Sequence, residues 1–334
     1  MEYGEPTVFD NNIKKPLKKL SNTFSFSLLI EQVIAAVGTF LGIVILYIYS
    51  CPFSKKSNLL SLLISNRSDF LYYVLNTLVY FTYMFITFVI IAAVLRQHPF
   101  KAIPFKITHP KLVPYAIIFG IFLSIIGELY SSYFDYLLSF FNLQVDLDYF
   151  DIPTNTPSMI LFVINISVLA PILEELIFRG LILQNLRKFG NFFAVVVSAL
   201  LFGILHGNFS QTPLAFVVGI ALGFAVIETG SIVTSMIMHC IINSFSVIIN
   251  GIQMYFGENI ANAVYLIYLG AAIILSIIAF ILLIRKQFFK DLKSRYFNKD
   301  VSCPIAFSVF CKTPGFIIFL SFYLINMFAS LKFR

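Results

Sequence analysis

Long apolar runs alternate with short polar stretches along almost the whole chain. A run of about 20 apolar residues is what a helix needs to cross the hydrocarbon core of a bilayer. Such runs lie at 26–50, 70–95, 112–130, 158–178, 191–207, 213–228, 231–249, 263–284 and 315–331. The pattern predicts an all-α fold, a polytopic transmembrane helical bundle of about eight to nine helices, and leaves open whether 315–331 spans the membrane.

The composition places the chain in the same class. Of its 334 residues, 59% are hydrophobic and only 12% are charged, and the mean hydropathy is +0.90. A soluble domain does not carry so apolar a surface. We therefore expect an integral membrane protein whose first partner is the lipid bilayer.

Basic residues collect in alternate loops, which predicts the orientation of the helices because Lys and Arg favour the cytoplasmic side. Basic clusters lie at 14–19, 96–111, 187–188 and 285–295, whereas the loop 131–157 contains Asp135, Asp146, Asp148 and Asp151 and no basic residue. The N-terminus is therefore expected in the cytoplasm. Lys55, Lys56 and Arg67 of the first outer loop are the exception. The net charge of +7 is then a topology signal, and no nucleic-acid partner is expected.

Three fragments place polar groups inside strongly apolar sequence. They are LEELIFRG at 173–180, FGILH at 202–206 and HCIIN at 239–243. An ionisable side chain at the centre of a spanning helix costs roughly 2.5 to 3.5 kcal/mol on insertion scales. A cluster of such groups predicts a buried active site. Its candidate residues are Glu174, Glu175, Arg179, His206, His239 and Asn243.

The spacing within the first fragment divides its carboxylates between two roles. Glu175 and Arg179 are four residues apart, so on a helix they share a face and neutralise each other. Glu174 points about 100° away and is left free for chemistry. Desolvation makes such a glutamate a usable general base. We therefore interpret Glu175 and Arg179 as the scaffold and Glu174 as the base, although a purely structural ion pair is the simpler alternative.

The other two fragments predict groups that bind an oxygen. Imidazole and amide groups donate hydrogen bonds to the oxyanion of a tetrahedral intermediate, which suits His239 and Asn243. Whether the fragments meet depends on the fourth helix. If that helix stops at Arg179, Glu174 and His206 lie at different depths. If it continues to about Lys188, both lie roughly 21 to 22 Å above its inner end, and Pro171 is expected to kink it.

The motifs EExxxR, FxxxH and HxxxN, in this order, resemble those of the CPBP family. That family contains CAAX proteases and bacteriocin-processing or Abi-type membrane enzymes. The resemblance covers roughly residues 155–250 and implies an intramembrane endopeptidase in which Glu174 activates water, with His206, His239 and Asn243 completing the site. Its substrate is expected to be a peptide or a membrane protein. The short helix connections are similar to bacterial members, so we expect a bacterial cell membrane.

The resemblance also suggests how the chain is divided. Residues 1–155 are expected to form an N-terminal cytoplasmic tail and three transmembrane helices. Residues 156–250 would be the CPBP/Abi catalytic core, and residues 251–334 would be C-terminal transmembrane helices with a basic cytoplasmic loop.

Glu31 and Glu128, in the first and third predicted spans, are left outside the site, and Glu228 is expected to lie in a tight cytoplasmic turn.

A metal requirement stays open at this point. Glu174, His206 and His239 form a possible zinc set, which would make the protein a metalloprotease. A water activated by the glutamate alone uses the same residues, and we favour this version. No other cofactor is expected.

Two other classes of function compete with the enzyme. A transporter would show inverted repeats and paired broken helices, which the sequence lacks. A non-catalytic bacteriocin-immunity or partner-binding membrane protein of the same fold is the main alternative. The intact set of motif residues favours catalysis.

Overall fold

The computed structural model describes residues 11–50, 70–145, 152–153, 155–297 and 301–333. These segments form a helical bundle. The helices are α1 (Asn11–Ser50), α2 (Phe70–Val94), α3 (Val113–Ser139), α4 (Thr156–Phe189), α5 (Asn191–Leu205), α6 (Gln211–Thr229), α7 (Ile232–Phe256), α8 (Glu258–Arg285), α9 (Leu292–Tyr296), α10 (Cys303–Cys311) and α11 (Pro314–Ala329). Two short strands, β1 (Leu143–Val145) and β2 (Leu331–Phe333), pair antiparallel. The prediction of a polytopic helical bundle is confirmed.

Every predicted apolar run that falls in the described segments is helical, but not every helix is long enough to span. Seven helices, α1 to α4 and α6 to α8, have the length and composition of spans, and an eighth exists if α10 and α11 count as one span. Those two helices meet at an angle of 70°. The run at 191–207 is the one that falls short, because α5 has only 15 residues.

The first and third helices are longer than the apolar runs suggested. Helix α1 begins at Asn11 rather than near residue 26, because Leu17, Leu20 and Phe24 are buried against the rest of the bundle. Helix α3 extends to Ser139. Asp135, which was assigned to an outer loop, therefore lies on this helix and accepts a hydrogen bond from the Ser210 hydroxyl.

Helix α4 continues past the glutamate pair to Phe189, which decides between the two alternatives for its length. It is α-helical except at two π-helical turns, Asn165–Leu169 and Leu176–Ile182, before a final 3₁₀ turn. Pro171 follows directly on the first π-turn. A π-turn inserts a residue into the helical ladder, which accommodates the missing N–H of a proline.

Small residues bring the central helices together. A Cβ added to Gly203 of α5 would lie 2.8 Å from the Thr212 carbonyl oxygen of α6. One added to Gly219 of α6 would lie 3.0 Å from Ala199 and 3.2 Å from an Arg179 side-chain nitrogen. Close backbone approach of this kind is how helices associate in lipid, where apolar burial gives little advantage. Helix α8, by contrast, exposes Leu266 and Ile267 along its length.

The loops that were predicted to be cytoplasmic meet at one end of the bundle. The Thr108 and His109 N–H groups both donate to the Thr229 carbonyl oxygen. Arg295 Nη1 donates to Glu228 Oε2 at 2.6 Å, and the Asn191 amide donates to the Arg295 carbonyl oxygen. The tight turn after α6 is confirmed, since Gly230 has φ +74°, a conformation that favours glycine.

Some predictions fall outside the described residues. These are the basic residues Lys55, Lys56 and Arg67 of the first loop, and the acidic residues Asp146, Asp148 and Asp151 of the loop after α3. The placement of the N-terminus in the cytoplasm and the division at 155 and 250 stay predictions.

Labelling of single cysteines tests the orientation. In a background without the four native cysteines, we expect a membrane-impermeant maleimide to label Lys101→Cys and Lys290→Cys only from the cytoplasmic side. Phe141→Cys is expected to react only from the outer side, because α3 carries the chain from one end of the bundle to the other. Labelling of all three from one side would contradict the arrangement.

Candidate active site

A buried ion pair forms the base of the site. Arg179 Nη1 lies 2.9 Å from Glu175 Oε1, and both side chains are fully buried. Arg179 Nη2 donates to the Gly219 carbonyl oxygen at 2.9 Å, and the guanidinium lies 4.6 Å from the centre of the Phe202 ring. Three helices, α4, α5 and α6, therefore contribute to holding the arginine. The predicted pairing of Glu175 with Arg179 is present in the structure.

The second π-turn of α4 contributes to this arrangement by redistributing backbone hydrogen bonds. The Ser198 hydroxyl donates to the Phe178 carbonyl oxygen, and Gln184 Nε2 donates to the Arg179 carbonyl oxygen, each at 2.9 Å. The Asn185 amide donates to the Leu181 carbonyl oxygen. Carbonyl oxygens that a π-turn leaves accessible are thus capped by side chains, which stabilises a backbone form that is rare within helices.

Glu174 points away from the ion pair, towards α2 and α7. Its Oε1 accepts a hydrogen bond from the Tyr80 hydroxyl at 2.8 Å. Its Oε2 lies 3.6 Å from His239 Nε2, and the side chain is 13% exposed, whereas that of Glu175 is fully buried. Glu174 therefore has one oxygen engaged by a tyrosine and another beside an imidazole, and its role as the base stays a prediction.

His239 of α7 bridges the two glutamates. Its Nδ1 lies 3.3 Å from Glu175 Oε1 while its Nε2 faces Glu174. An ionised carboxylate only accepts hydrogen bonds, so Nδ1 is the nitrogen that carries the proton. In the neutral imidazole Nε2 would then be an acceptor. With Nδ1 engaged by Glu175, His239 can donate from Nε2 to an oxyanion only when both of its nitrogens are protonated.

His206 caps the end of α5 on the other side of Phe202. Its Nδ1 lies 2.9 Å from the Phe202 carbonyl oxygen, which again assigns the proton to Nδ1 and leaves Nε2 free. The Phe202 ring meets the rings of His206 and His239 edge-on, with centroids 5.0 and 5.7 Å apart. His206 is close enough to Glu174 and His239 to interact with both electrostatically.

Asn243 lies on the same face of α7 as His239 but has a structural contact. Its Nδ2 donates to the Ile166 carbonyl oxygen at 3.1 Å, within the first π-turn of α4. The amide thus ties α7 to α4 one turn away from His239. Its role in an oxyanion hole stays a prediction, since one amide hydrogen is already engaged.

The proposed zinc set does not come together. Among the residues that the structure describes, no three His, Cys, Asp or Glu side chains are grouped so that they could hold a metal ion. Glu174 and His239 are neighbours, and the Phe202 ring packs edge-on against both His206 and His239. The arrangement does not fit a zinc site, and no step below uses one.

Sequence reasoning missed the groups that α1 and α2 bring to the site. Tyr80 binds Glu174 directly, and its ring contacts that of Tyr83 at 5.1 Å between centroids. Glu31, which was left outside the site, interacts electrostatically with Glu174. A tyrosine in an apolar helix gives no signal in a sequence. An ionisable residue within a span does, and Glu31 should have been included on that ground.

Comparison with known proteins identifies the segment that contains most of this site. Residues 156–245 match the family model of the type II CAAX prenyl endopeptidases, described as Rce1-like. Residues 156–245 are thus an Rce1-like segment, similar to this family. All six predicted site residues lie within it, whereas Glu31, Tyr80 and Tyr83 precede it. The sequence similarity to this family therefore lies in the central helices of the chain.

Two curated relatives are similar to part of the chain. One is YdiL of Bacillus subtilis (strain 168), a candidate membrane peptidase by its name, which is 36% identical over 89 residues, or 26% of this chain and 36% of YdiL. The other is the membrane-embedded CAAX protease MroQ of Staphylococcus aureus (strain USA300), 30% identical over 95 residues, or 26% of this chain and 38% of MroQ. The match spans little more than a third of either relative. No solved structure matches the chain.

The buried ion pair makes a testable contribution to stability. Arg179→Met leaves Glu175 charged and unpaired inside the bundle, and breaking a buried pair from one side costs about 3 to 5 kcal/mol. We expect a large fall in the unfolding temperature of the detergent-solubilised protein. The double variant Glu175→Gln/Arg179→Met should recover much of the loss, and Lys188→Met serves as the control. Equal stability of Arg179→Met and the control would contradict the role of the pair.

Proposed function

We propose that this protein is an intramembrane endopeptidase that hydrolyses a peptide bond of a membrane-associated peptide or protein, with water activated by Glu174. The observation that carries the proposal is the division between the two adjacent glutamates. Glu175 is neutralised by Arg179, whereas Glu174 Oε2 lies 3.6 Å from His239 Nε2 and forms no salt bridge with a Lys or Arg of the described residues. The family of the central segment and the names of its two relatives support a membrane protease.

The two atoms are spaced for a water molecule to contact both. A hydrogen-bonded water lies about 2.8 Å from each of its partners, so one water can contact atoms that are 3.6 Å apart. Glu174 takes a proton from this water as the water oxygen attacks the scissile carbonyl carbon. The C–O bond forms, and the carbonyl electrons move to the oxygen.

The remaining groups stabilise and resolve this intermediate. His239, protonated on both nitrogens and held by Glu175 through Nδ1, offers Nε2–H to the oxyanion. As the C–N bond breaks, the proton held by Glu174 passes to the departing amine nitrogen. The products are a carboxylic acid and an amine, and Glu174 returns to its carboxylate form. Tyr80 keeps Glu174 Oε1 engaged, so that Oε2 is the oxygen that faces the water.

Replacement of Glu174 tests the base. Glu174→Gln is nearly isosteric but cannot accept the proton, so we expect cleavage of a membrane-anchored peptide library to fall by roughly 100- to 10,000-fold. Glu128→Gln, the same change on α3, is the control and should retain activity. Cleavage by the wild type is expected to resist a strong chelator. If Glu174→Gln still cleaves every peptide that the wild type cleaves, the cleavage does not depend on Glu174. A partner-binding or immunity role then replaces the enzyme.

Replacement of Tyr80 tests the orientation of the base. Tyr80→Phe removes one hydrogen bond to a charged group, worth about 1.5 to 3 kcal/mol, and we expect kcat/KM to fall by roughly 10- to 100-fold. Tyr72→Phe, on the same helix but in contact with Tyr73 rather than with the site, should have little effect. Full activity of Tyr80→Phe would show that Glu174 does not depend on this contact.

A further inference from the structure

Glu31 is a buried carboxyl group that the proposed chemistry does not use. It lies on α1 and is only 1% exposed. Within the described part of the chain its Oε2 has no hydrogen-bond partner. A buried polar group without a partner destabilises the folded protein, and more so if it is charged. Such a group calls for a hydrogen-bond donor that the described residues do not supply.

Electrostatic interactions and helix packing place Glu31 near Glu174. It interacts electrostatically with Glu174, and Tyr83 interacts with both carboxyl groups. Tyr80, which binds Glu174, is in ring contact with Tyr83 on the next turn of α2. Since α1 and α2 pack along each other, Glu31 and these tyrosines lie on the α1–α2 side of Glu174, whereas His239 approaches Glu174 from α7.

Among the described residues, no basic side chain forms an ion pair with Glu31. Glu31, Glu174 and Glu175 contribute three carboxyl groups, and the guanidinium of Arg179 is already committed to Glu175. His239 contacts the two glutamates of α4 rather than Glu31. In a low-dielectric interior an excess of negative charge attracts a cation strongly. A positively charged ligand would supply the partner that Glu31 lacks, whereas a neutral or anionic ligand would not.

The aromatic surroundings fit the same ligand. Tyr323 of α11 is 1% exposed, and its ring lies beside Gly207, directly after His206. It interacts electrostatically with Glu31 and Tyr83, and its hydroxyl lies near Gln32 without forming a hydrogen bond of normal geometry. A carboxylate flanked by tyrosine rings binds ammonium and guanidinium groups through charge-assisted hydrogen bonds and cation–π contacts.

We propose that Glu31, with Tyr83 and Tyr323, forms a subsite for a cationic side chain of the substrate, a lysine or an arginine close to the bond that Glu174 cleaves. This inference rests on the proposed function and names the class of substrate that the site selects. The subsite is built by α1, α2 and α11, all of which lie outside the Rce1-like segment. Its specificity therefore belongs to this chain rather than to the shared core.

Competing cleavage of matched peptides tests the subsite. Membrane-anchored peptide libraries carry either lysine or the uncharged norleucine at each position around the cleaved bond. At one position we expect the wild type to prefer lysine by roughly tenfold or more in kcat/KM. Glu31→Gln should bring the ratio close to one and Tyr323→Phe should lower it in part. Glu128→Gln, the same change beside Tyr265, should keep the ratio.

The outcomes separate the two proposals. If the wild type cuts peptides without a preference for lysine, or Glu31→Gln keeps that preference, the subsite is overturned and the endopeptidase stands. If the wild type cuts nothing, the endopeptidase fails, and binding of the fluorescent lysine and norleucine peptides to the protein in nanodiscs decides the subsite. Tighter binding of the lysine peptide that Glu31→Gln abolishes supports it, and equal affinities overturn it. Elution of each variant at the wild-type position in size-exclusion chromatography shows that it is folded.

Discussion

The buried pair of Glu175 and Arg179 is the interaction on which the rest of the site depends. A single unpaired charge would be strongly destabilising in this apolar interior. Arg179 is also held by the Gly219 carbonyl oxygen and the Phe202 ring. Glu175 is also held by His239. The pair therefore places α4, α5, α6 and α7 in one register. Glu174, on the adjacent position of α4, owes its direction to this neighbour.

The two π-turns of α4 serve this register in different ways. The turn at Leu176–Ile182 contains Arg179 and exposes carbonyl oxygens to side chains of α4 and α5. The turn at Asn165–Leu169 precedes Pro171 and offers the Ile166 carbonyl oxygen to Asn243. The irregular backbone thus lies where helices must be joined through polar contacts, while the six residues between the turns, which include both glutamates, stay α-helical.

Much of this arrangement could be predicted from the sequence, and the parts that could not have physical reasons. Spacing of four residues was enough to pair Glu175 with Arg179, and a fourth helix that continues to about Lys188 was enough to place Glu174 at the depth of His206. Hydropathy gave no sign that α5 is too short to span, because its apolar run continues into the loop that holds His206. Tyr80 was missed because an aromatic residue in a spanning helix is typical of lipid contact. The contact of Asn243 with the Ile166 carbonyl oxygen could not be foreseen, because a π-turn makes this oxygen accessible.

The shortness of α5 has a consequence for the supply of water. Its 15 residues rise roughly 22 Å, less than the hydrocarbon thickness of about 30 Å. A bilayer accommodates a short apolar element by thinning beside it. Because α5 ends at His206, such thinning would bring the aqueous boundary nearest to the membrane-embedded side chains at this end of α5. A peptide-bond hydrolase needs one water molecule in every turnover, and a depression in the lipid surface above His206 would provide its entry path without a permanent channel through the bundle.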